Sequence, residues 1–137
     1  MSPDELIKDL FSEKKLKTTP QRLAVYKALE LLCHACAEEV IVQVHKTFPT
    51  VTVGTVYNVL ECLAANKVIS KVPTGDNRMY FDINPGEHHH LYSEKNHRIE
   101  DFEDAALSEL IRDYMRSKKI KGFELREIRV QLVGDFI

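Results

Sequence analysis

At 137 residues, 44% of them apolar and 29% charged, the chain has room for one modest domain or two small ones and too little for a large enzyme scaffold. A formal net charge of −2 excludes a globally basic surface, and with ten Lys/Arg against ten Asp/Glu in residues 1–84 and nine against eleven in residues 85–137, any face for nucleic acid has to be a local patch. No apolar run approaches the roughly 18 residues of a membrane span, the N-terminal MSPDELIKDLF carries acids where a secretory signal carries bases, and the odd count of cysteines (Cys33, Cys36, Cys62) favours reduced thiols, so a cytoplasmic protein with no membrane partner is expected.

Ser2-Pro3-Asp4-Glu5 has the spacing of a capping box with Pro at the first helical position, and Leu6, Leu10 and Phe11 supply the apolar stripe of a first helix. Thr19-Pro20 opens a second, predicted over about 20–32, with Leu23, Tyr26, Leu29 and Leu32 or Cys33 at helical spacing. Cys36-Ala37-Glu38-Glu39 repeats the capping-box spacing with a thiol in the hydroxyl position; Val40, Ile41, Val44 and Phe48 give the buried face of the third helix, and Pro49 stops it. Thr52 caps a fourth, whose stripe Val53, Val56, Tyr57, Leu60, Leu63 and Ala64 runs to Asn66, a residue suited to a left-handed terminus. The pattern then changes to two strand-like runs, 68–72 and 78–83, around the turn signal Pro73-Thr74-Gly75-Asp76-Asn77. Helices followed at once by a β-hairpin are the element order of a winged helix-turn-helix module, and residues 1–83 fit it.

Asn84-Pro85-Gly86 punctuates the chain more strongly than any other stretch, so a second domain is expected over 84–137. Its predicted elements are strands at 88–92 and 97–102 around a turn at Glu94 to Asn96, an amphipathic helix carrying Leu107, Leu110, Ile111, Tyr114 and Met115, and a last strand over 123–133. The apolar phase of that strand switches between Phe123/Leu125 and Ile128/Val130/Leu132, which predicts a bulge near Glu127. The expected class is α+β: an N-terminal winged helix-turn-helix domain followed by a small α/β dimerisation domain of three strands and a helix. A unit of roughly 50 residues gains stability from a metal, disulfides or oligomerisation, and a homodimer is the expected route.

Four of the six histidines lie in GEHHHLYSEKNHRIED, residues 86–101. On a strand, His88 and His90 project to one face and His89 with Leu91 to the other, so the His-x-His pair is either a preorganised clamp for a metal or a pair of solvated imidazoles. Asp82, at the end of the hairpin, and Asp101, on the strand expected to pair with 88–92, are placed to approach that face. His34 sits in the loop between two helices, where it reads equally as a structural residue.

HACAEE at 34–39, TVGTVYNVL at 52–60, YFD at 80–82, HHHL at 88–91 and RIEDF at 98–102 together resemble the ferric-uptake-regulator (Fur) superfamily of metal-dependent repressors, in the same order, at matching intervals and over nearly the whole chain. The resemblance implies that His34, Asp82, His88, His90 and Asp101 form the regulatory metal site. Such a set of three imidazoles and two carboxylates suits Fe(II) or Mn(II), and Zn(II) would also bind because raw affinity favours it. Asp101, where iron-sensing members usually have Glu, makes the chain similar to the peroxide-responsive PerR branch, in which bound Fe(II) reacts with hydrogen peroxide and a ligand histidine is modified; the oxidation-sensitive residues implied are His34 and His90.

The sequence also departs from the family. The structural four-cysteine zinc site is absent, since Ser93 and Asn96 stand in the positions of its first pair and no cysteine follows Cys62. Glu87, His89, Ser108 and Ile128 occupy the positions of a second metal site found in some members, so one metal per subunit is expected, with His89 and His97 solvated and His97 at most a weak outer-shell partner. Cys36 stands where the family carries a capping serine, and a helix N-terminus is expected to lower its thiol pKa.

The helix from 53 to 65 is the expected recognition element, with Gly54, Thr55, Tyr57 and Asn58 as base or phosphate contacts, Tyr57 serving either a thymine methyl or the core. Lys14, Lys15, Lys17 and Arg22, with Lys71 and Arg78 on the wing side, are the expected phosphate contacts. The partner so implied is a double-stranded DNA operator with an inverted repeat, read by a two-fold dimer. The expected protein is a regulator and not an enzyme: a peroxide-sensing repressor that loses DNA binding when a ligand histidine is oxidised, with a repressor responding to iron or manganese alone as the alternative. A metal-dependent hydrolase would lack a nucleophile-base pair and leave the winged-helix half unexplained. A metal-free regulator that responds through histidine protonation is the other alternative.

Overall fold

In the computed structural model, which describes residues 1–74 and 78–137, the chain divides into two units, Met1–Pro85 and Gly86–Ile137. The first contains α1 (Pro3–Glu13), α2 (Pro20–Leu32), β1 (His34–Ala35), α3 (Ala37–Val44), α4 (Val53–Ala65), β2 (Ser70–Pro73) and β3 (Met79–Asp82). The second contains β4 (His89–Tyr92), β5 (Ile99–Phe102), α5 (Ala105–Arg116) and β6 (Gln131–Val133). The class is α+β. Among the described residues no helix is long and apolar enough to cross a membrane.

Helix starts in the first unit follow their caps. The Ser2 hydroxyl accepts the Glu5 N–H at 3.2 Å while the Glu5 carboxylate accepts the Ser2 N–H, so both arms of the box close. Thr19 Oγ1 accepts the Arg22 N–H and Thr52 Oγ1 accepts the Thr55 N–H, at 3.2 and 3.1 Å. Two ends differ from expectation. Helix α3 stops at Val44 rather than near Phe48, and the following His45 ring donates from Nε2 to the Val51 carbonyl at 2.7 Å, which ties α3 to the turn before α4. At the end of α4, Asn66 stays at φ −93° and Lys67 takes the left-handed conformation at φ 60° instead.

The apolar stripes of these helices meet in one core. Phe11, Val25, Leu29, Val40, Val56, Leu60, Leu63 and Phe81 are all fully buried, each side chain contributing about 1.5–3 kcal/mol by removal from water. The expected hairpin forms as antiparallel β2–β3, shorter at its outer edges than the runs 68–72 and 78–83, with Ser70 opposite Asp82 and Val72 opposite Tyr80. Of the expected turn, Gly75, Asp76 and Asn77 lie outside the described residues; the Thr74 hydroxyl donates to the Arg78 carbonyl at 3.1 Å. A third strand, β1, was not predicted: only two residues long, it lies on the other side of β3 and gives the sheet the order β1-β3-β2.

In the second unit β4 is central, antiparallel to β5 and parallel to β6. A parallel neighbour needs a crossover connection, and α5 lies within it. The last strand is confined to Gln131–Val133, so the expected run from 123, with a bulge near Glu127, is corrected. Part of the reason is a competition for backbone donors. The Ile128 N–H goes to the Glu87 carboxylate at 2.7 Å and the Val130 N–H to His89 Nδ1 at 3.0 Å, so side chains take groups that a strand partner would otherwise accept. Helix α5 is capped by Asp104, yet buries none of its residues; Leu110 and Tyr114 are 69% and 62% exposed.

Candidate metal centre

His34 and Asp82 are brought together inside the first unit by strand register. They are directly opposed partners on β1 and β3, and opposed residues on an antiparallel pair share a face. His34 Nε2 lies 3.4 Å from Asp82 Oδ2, and Asp82 Oδ1 accepts the Asn84 N–H at 2.9 Å. The Asp82 carboxylate is fully buried, a position that costs several kcal/mol unless positive charge or donors compensate it. The backbone leading into β1 is bent hard: Cys33 sits at φ 65°, ψ −54°, its N–H bonded to the Leu29 carbonyl and its own carbonyl accepting the Ile83 N–H. A non-glycine residue held there stores about 1–3 kcal/mol of strain, immediately before a candidate ligand.

A second group forms inside the other unit. His90 faces Asp101 across the β4–β5 register, and His88 and His90 project to the same side, their ring centroids 4.5 Å apart. The Gly86 carbonyl lies 2.8 Å from His88 Nδ1 and can only accept, so Nδ1 carries the proton and Nε2 presents a lone pair when the ring is neutral. That Nε2 is 3.2 Å from Asp101 Oδ1, and His90 Nε2 is 3.5 Å from the same oxygen. The His88 lone pair and the Asp101 oxygen are both acceptors, so a metal cation between them would satisfy both, with His90 Nε2 beside them. A backbone carbonyl fixing the far nitrogen of a buried imidazole is the support that metal-bound histidines ordinarily have. The donor set therefore fits a divalent cation of intermediate hardness.

The opposite face of β4 has a different use. His89 is 1% exposed, so the expectation that it is solvated is corrected. Its Nδ1 accepts the Val130 N–H, which leaves Nε2–H to donate to Ser108 Oγ at 2.8 Å. Beside it, the Glu87 carboxylate receives the Ile128 N–H and both contacts of the Arg112 guanidinium, at 2.9 and 3.1 Å. Those partners, the Ile128 N–H foremost and Arg112 after it, hold the Glu87 carboxyl below the usual carboxylate range. A guanidinium and two amides thus occupy the groups on this face. The strand alternation that pairs His89 with Leu91 was the available sign that it points inward. His97 is exposed, at φ 59°, with Nδ1 3.1 Å from the Tyr92 hydroxyl.

All three cysteines are free thiols. Cys36 lies at the start of α3 with Sγ 3.2 Å from a Glu39 carboxylate oxygen, and burial pushes its thiol up to about 11. The expected lowering by the helix terminus is therefore reversed: the Glu39 carboxylate adds to the rise, and only its backbone N–H opposes it.

On α4, Gly54, Thr55, Tyr57 and Asn58 are all exposed. A Cβ at Gly54 would meet nothing closer than Thr52 Oγ1 at 3.9 Å, so the fold itself does not require glycine there. Tyr57 divides its ring between two environments, 43% exposed yet edge-on to buried Phe81 with centroids 6.3 Å apart. Lys14, Lys15 and Lys17 are exposed at the α1–α2 connection, and Arg78 is exposed beside β3. Arg22 is half-buried: its guanidinium donates to the Lys17 carbonyl at 2.8 Å and approaches Cys62 Sγ at 3.7 Å, pinning that connection to α4. Lys71 pairs with Glu61. No local pattern marks Arg22 as engaged, because its partners come from the loop before it and a helix forty residues on.

The Ferric uptake regulator family model matches residues 13–133 of this chain. A similar relative is the peroxide-responsive repressor PerR of Staphylococcus aureus strain Mu50, 28% identical over 120 residues, which span 87% of this chain and 79% of that protein. Among solved structures, the Vibrio cholerae ferric uptake regulator superposes with a TM-score of 0.77 at 18% identity, over 95% of this chain and 99% of that one. The Campylobacter jejuni peroxide stress regulator does so with a TM-score of 0.71 at 24% identity, over 100% of this chain and 98% of that one.

Proposed function

This chain belongs to the Ferric uptake regulator family of metal-responsive transcriptional regulators, which are not enzymes, and from that premise we propose that it is a peroxide-sensing, dimeric DNA-binding repressor. In this reading one Fe(II) or Mn(II) per subunit is held by His34, Asp82, His88, His90 and Asp101, with no structural four-cysteine zinc. The observation that carries it is the convergence of the His88 and His90 Nε2 atoms on one Asp101 oxygen while Gly86 fixes the His88 tautomer. The His34–Asp82 pair offers a second imidazole and carboxylate of the same kind. Asp82 and His88 are only six positions apart in the chain, a reach of at most about 20 Å.

Residues 1–83 form the proposed DNA-binding domain and 84–137 the dimerisation and metal-sensing domain. The latter exposes Leu110, Tyr114, Ile120, Phe123, Leu125 and Val133, apolar surface available to a homodimer interface, although Leu31 and Val42 are exposed in the first unit as well. Gly54, Thr55, Tyr57 and Asn58 contact the bases or phosphates of an inverted repeat while Lys15, Lys17 and Arg22 face the phosphates, with Arg22 acting through the connection it pins. Gly54, which the fold does not need, permits close approach to the DNA backbone.

A bound Fe(II) would supply a redox centre that activates hydrogen peroxide. One imidazole, His34 or His90, would take one oxygen atom from one peroxide into a ring C–H bond, the peroxide's other oxygen leaving as water, and the oxidised ring would be a poorer ligand for the cation. Asp82 and Asp101 hold that cation from the carboxylate side. The name of the Staphylococcus aureus relative supports peroxide as the signal. A cytoplasmic location fits this role.

The test uses a duplex selected from a randomised pool by the manganese-loaded protein. Binding should strengthen with Mn(II) or Fe(II), and peroxide should abolish it only for the iron form, with one added oxygen on the peptides containing His34 or His90. Metal-dependent binding that survives peroxide without oxidation would replace this reading by iron or manganese sensing alone. Binding indifferent to chelators would remove the metal from the account.

A further inference from the structure

Tyr57 belongs to the reading face of α4, and the ring it leans on belongs to the strand that carries Asp82. Phe81 and Asp82 are neighbours on β3, so their side chains leave opposite faces: Asp82 toward His34, Phe81 into the core of the first unit. On the partner strand the same two rungs are His34 opposite Asp82 and Ala35 opposite Phe81. These are the only residues of β1, so whatever fixes the His34–Asp82 rung fixes one of the two rungs that hold β1 to β3, beside the Phe81–Lys71 pairing on β2. Phe81 is fully buried and meets the Tyr57 ring edge-on, 6.3 Å between centroids at 84°. The other flank of that ring is in solvent.

We propose that Phe81 is a positioning residue that transmits the state of the His34–Asp82 pair to the DNA-reading face of α4 by setting the orientation of Tyr57. Resting on the metal-responsive reading above, this adds a route inside the first unit that needs no change in the second. Close-packed side chains pass on a displacement rather than absorb it, and an aromatic edge contact is directional. When a cation draws His34 and Asp82 together, the β1–β3 rungs tighten and the Phe81 ring moves with its backbone. Tyr57, 43% exposed and held on its buried side by that edge, follows. Leucine or methionine at 81 fills most of the same volume without a ring edge to steer Tyr57.

The readout is the metal enhancement: the ratio of duplex affinities with and without saturating Mn(II), measured for full-length wild type, Phe81→Leu, Tyr57→Leu and the double variant. Phe81→Leu should lower the enhancement by about five-fold or more while leaving the affinity of the metal-stripped protein within about two-fold. The double variant should show the same enhancement as Tyr57→Leu alone, because the route is already cut. A purely structural role for Phe81 instead makes the two reductions multiply, which would overturn the proposal, as would a wild-type enhancement in Phe81→Leu. Should Phe81→Leu not fold, as judged by its melting curve, Phe81→Met takes its place. A wild-type protein with no enhancement at all removes the metal-responsive reading and this proposal with it, whereas a wild-type enhancement left intact by the substitutions removes this proposal alone.

Discussion

The two units solve the problem of stability in opposite ways. The first closes a continuous apolar core, with side chains from all four of its helices and its sheet excluded from water. The second has only Tyr92 and Ile128 as buried apolar side chains among its described residues and devotes the rest of its buried positions to His88, His89, His90 and Ser93. It leaves Leu110 and Tyr114 of α5 exposed and covers Leu107, Ile111 and Met115 only in part. A segment of roughly 50 residues with such an interior cannot stand on hydrophobic burial alone. What the difference teaches is that the second unit has the least hydrophobic stability of its own, and on the proposed reading it is completed from outside itself, by a cation at its imidazoles and by a second subunit over α5.

The largest effect expected from that contrast is metal-linked. At a Mn(II) concentration 100 times its Kd, the protein should gain about 2.7 kcal/mol, with amide exchange slowing through 86–102. Protection confined to the α1–α2 core would break the comparison. Next comes the partner surface: Leu110→Glu with Tyr114→Glu should weaken dimerisation by at least about 2 kcal/mol, visible by sedimentation as monomer at micromolar concentration, while the first unit keeps its helical signal. An unchanged dimer would move the interface elsewhere.

A smaller effect, of opposite sign, sharpens the role of the first unit. Cys33→Gly relieves the positive φ before His34 and should stabilise that unit by about 1 kcal/mol in denaturant melts. No gain would mean that the bend carries no strain. The smallest concerns acid. The Glu87 carboxyl is held below its ordinary range when folded, so its contribution is present above the unfolded value of about 4.3 and is lost as pH falls through the folded value. Glu87→Gln should therefore flatten the acid limb of melting for the second unit, and an unaltered limb would contradict the role given to the Ile128 and Arg112 contacts.

Much of the architecture was legible because its signals are local. Ser2, Thr19 and Thr52 mark helix starts by hydrogen-bonding three residues ahead, and a sequence shows that spacing directly. The hairpin and the Asn84-Pro85-Gly86 boundary were readable for the same reason. Strand β1 was not, since two residues without a period become a strand only through β3, nearly fifty positions away. Nor was the shortening of the last strand, which depends on Glu87 and His89 capturing amides forty-one residues later. The candidate ligands divide likewise. Alternation in HHHL marked the shared face of His88 and His90, whereas His34 carried no local sign of its proposed role and entered only through resemblance. Cys36 went wrong through electrostatics: its position suggested a helix terminus, and burial with the Glu39 carboxylate outweighs that influence.

The central claim is that one cation draws ligands from both units, and a Mn(II) binding isotherm for His34→Ala, followed by electron paramagnetic resonance, tests it most directly. Loss of a ligand should weaken binding on the order of 100-fold, to the same degree as His90→Ala. An isotherm for His34→Ala that overlays the wild type, with His90→Ala still impaired, would confine the metal to the second unit and contradict the account.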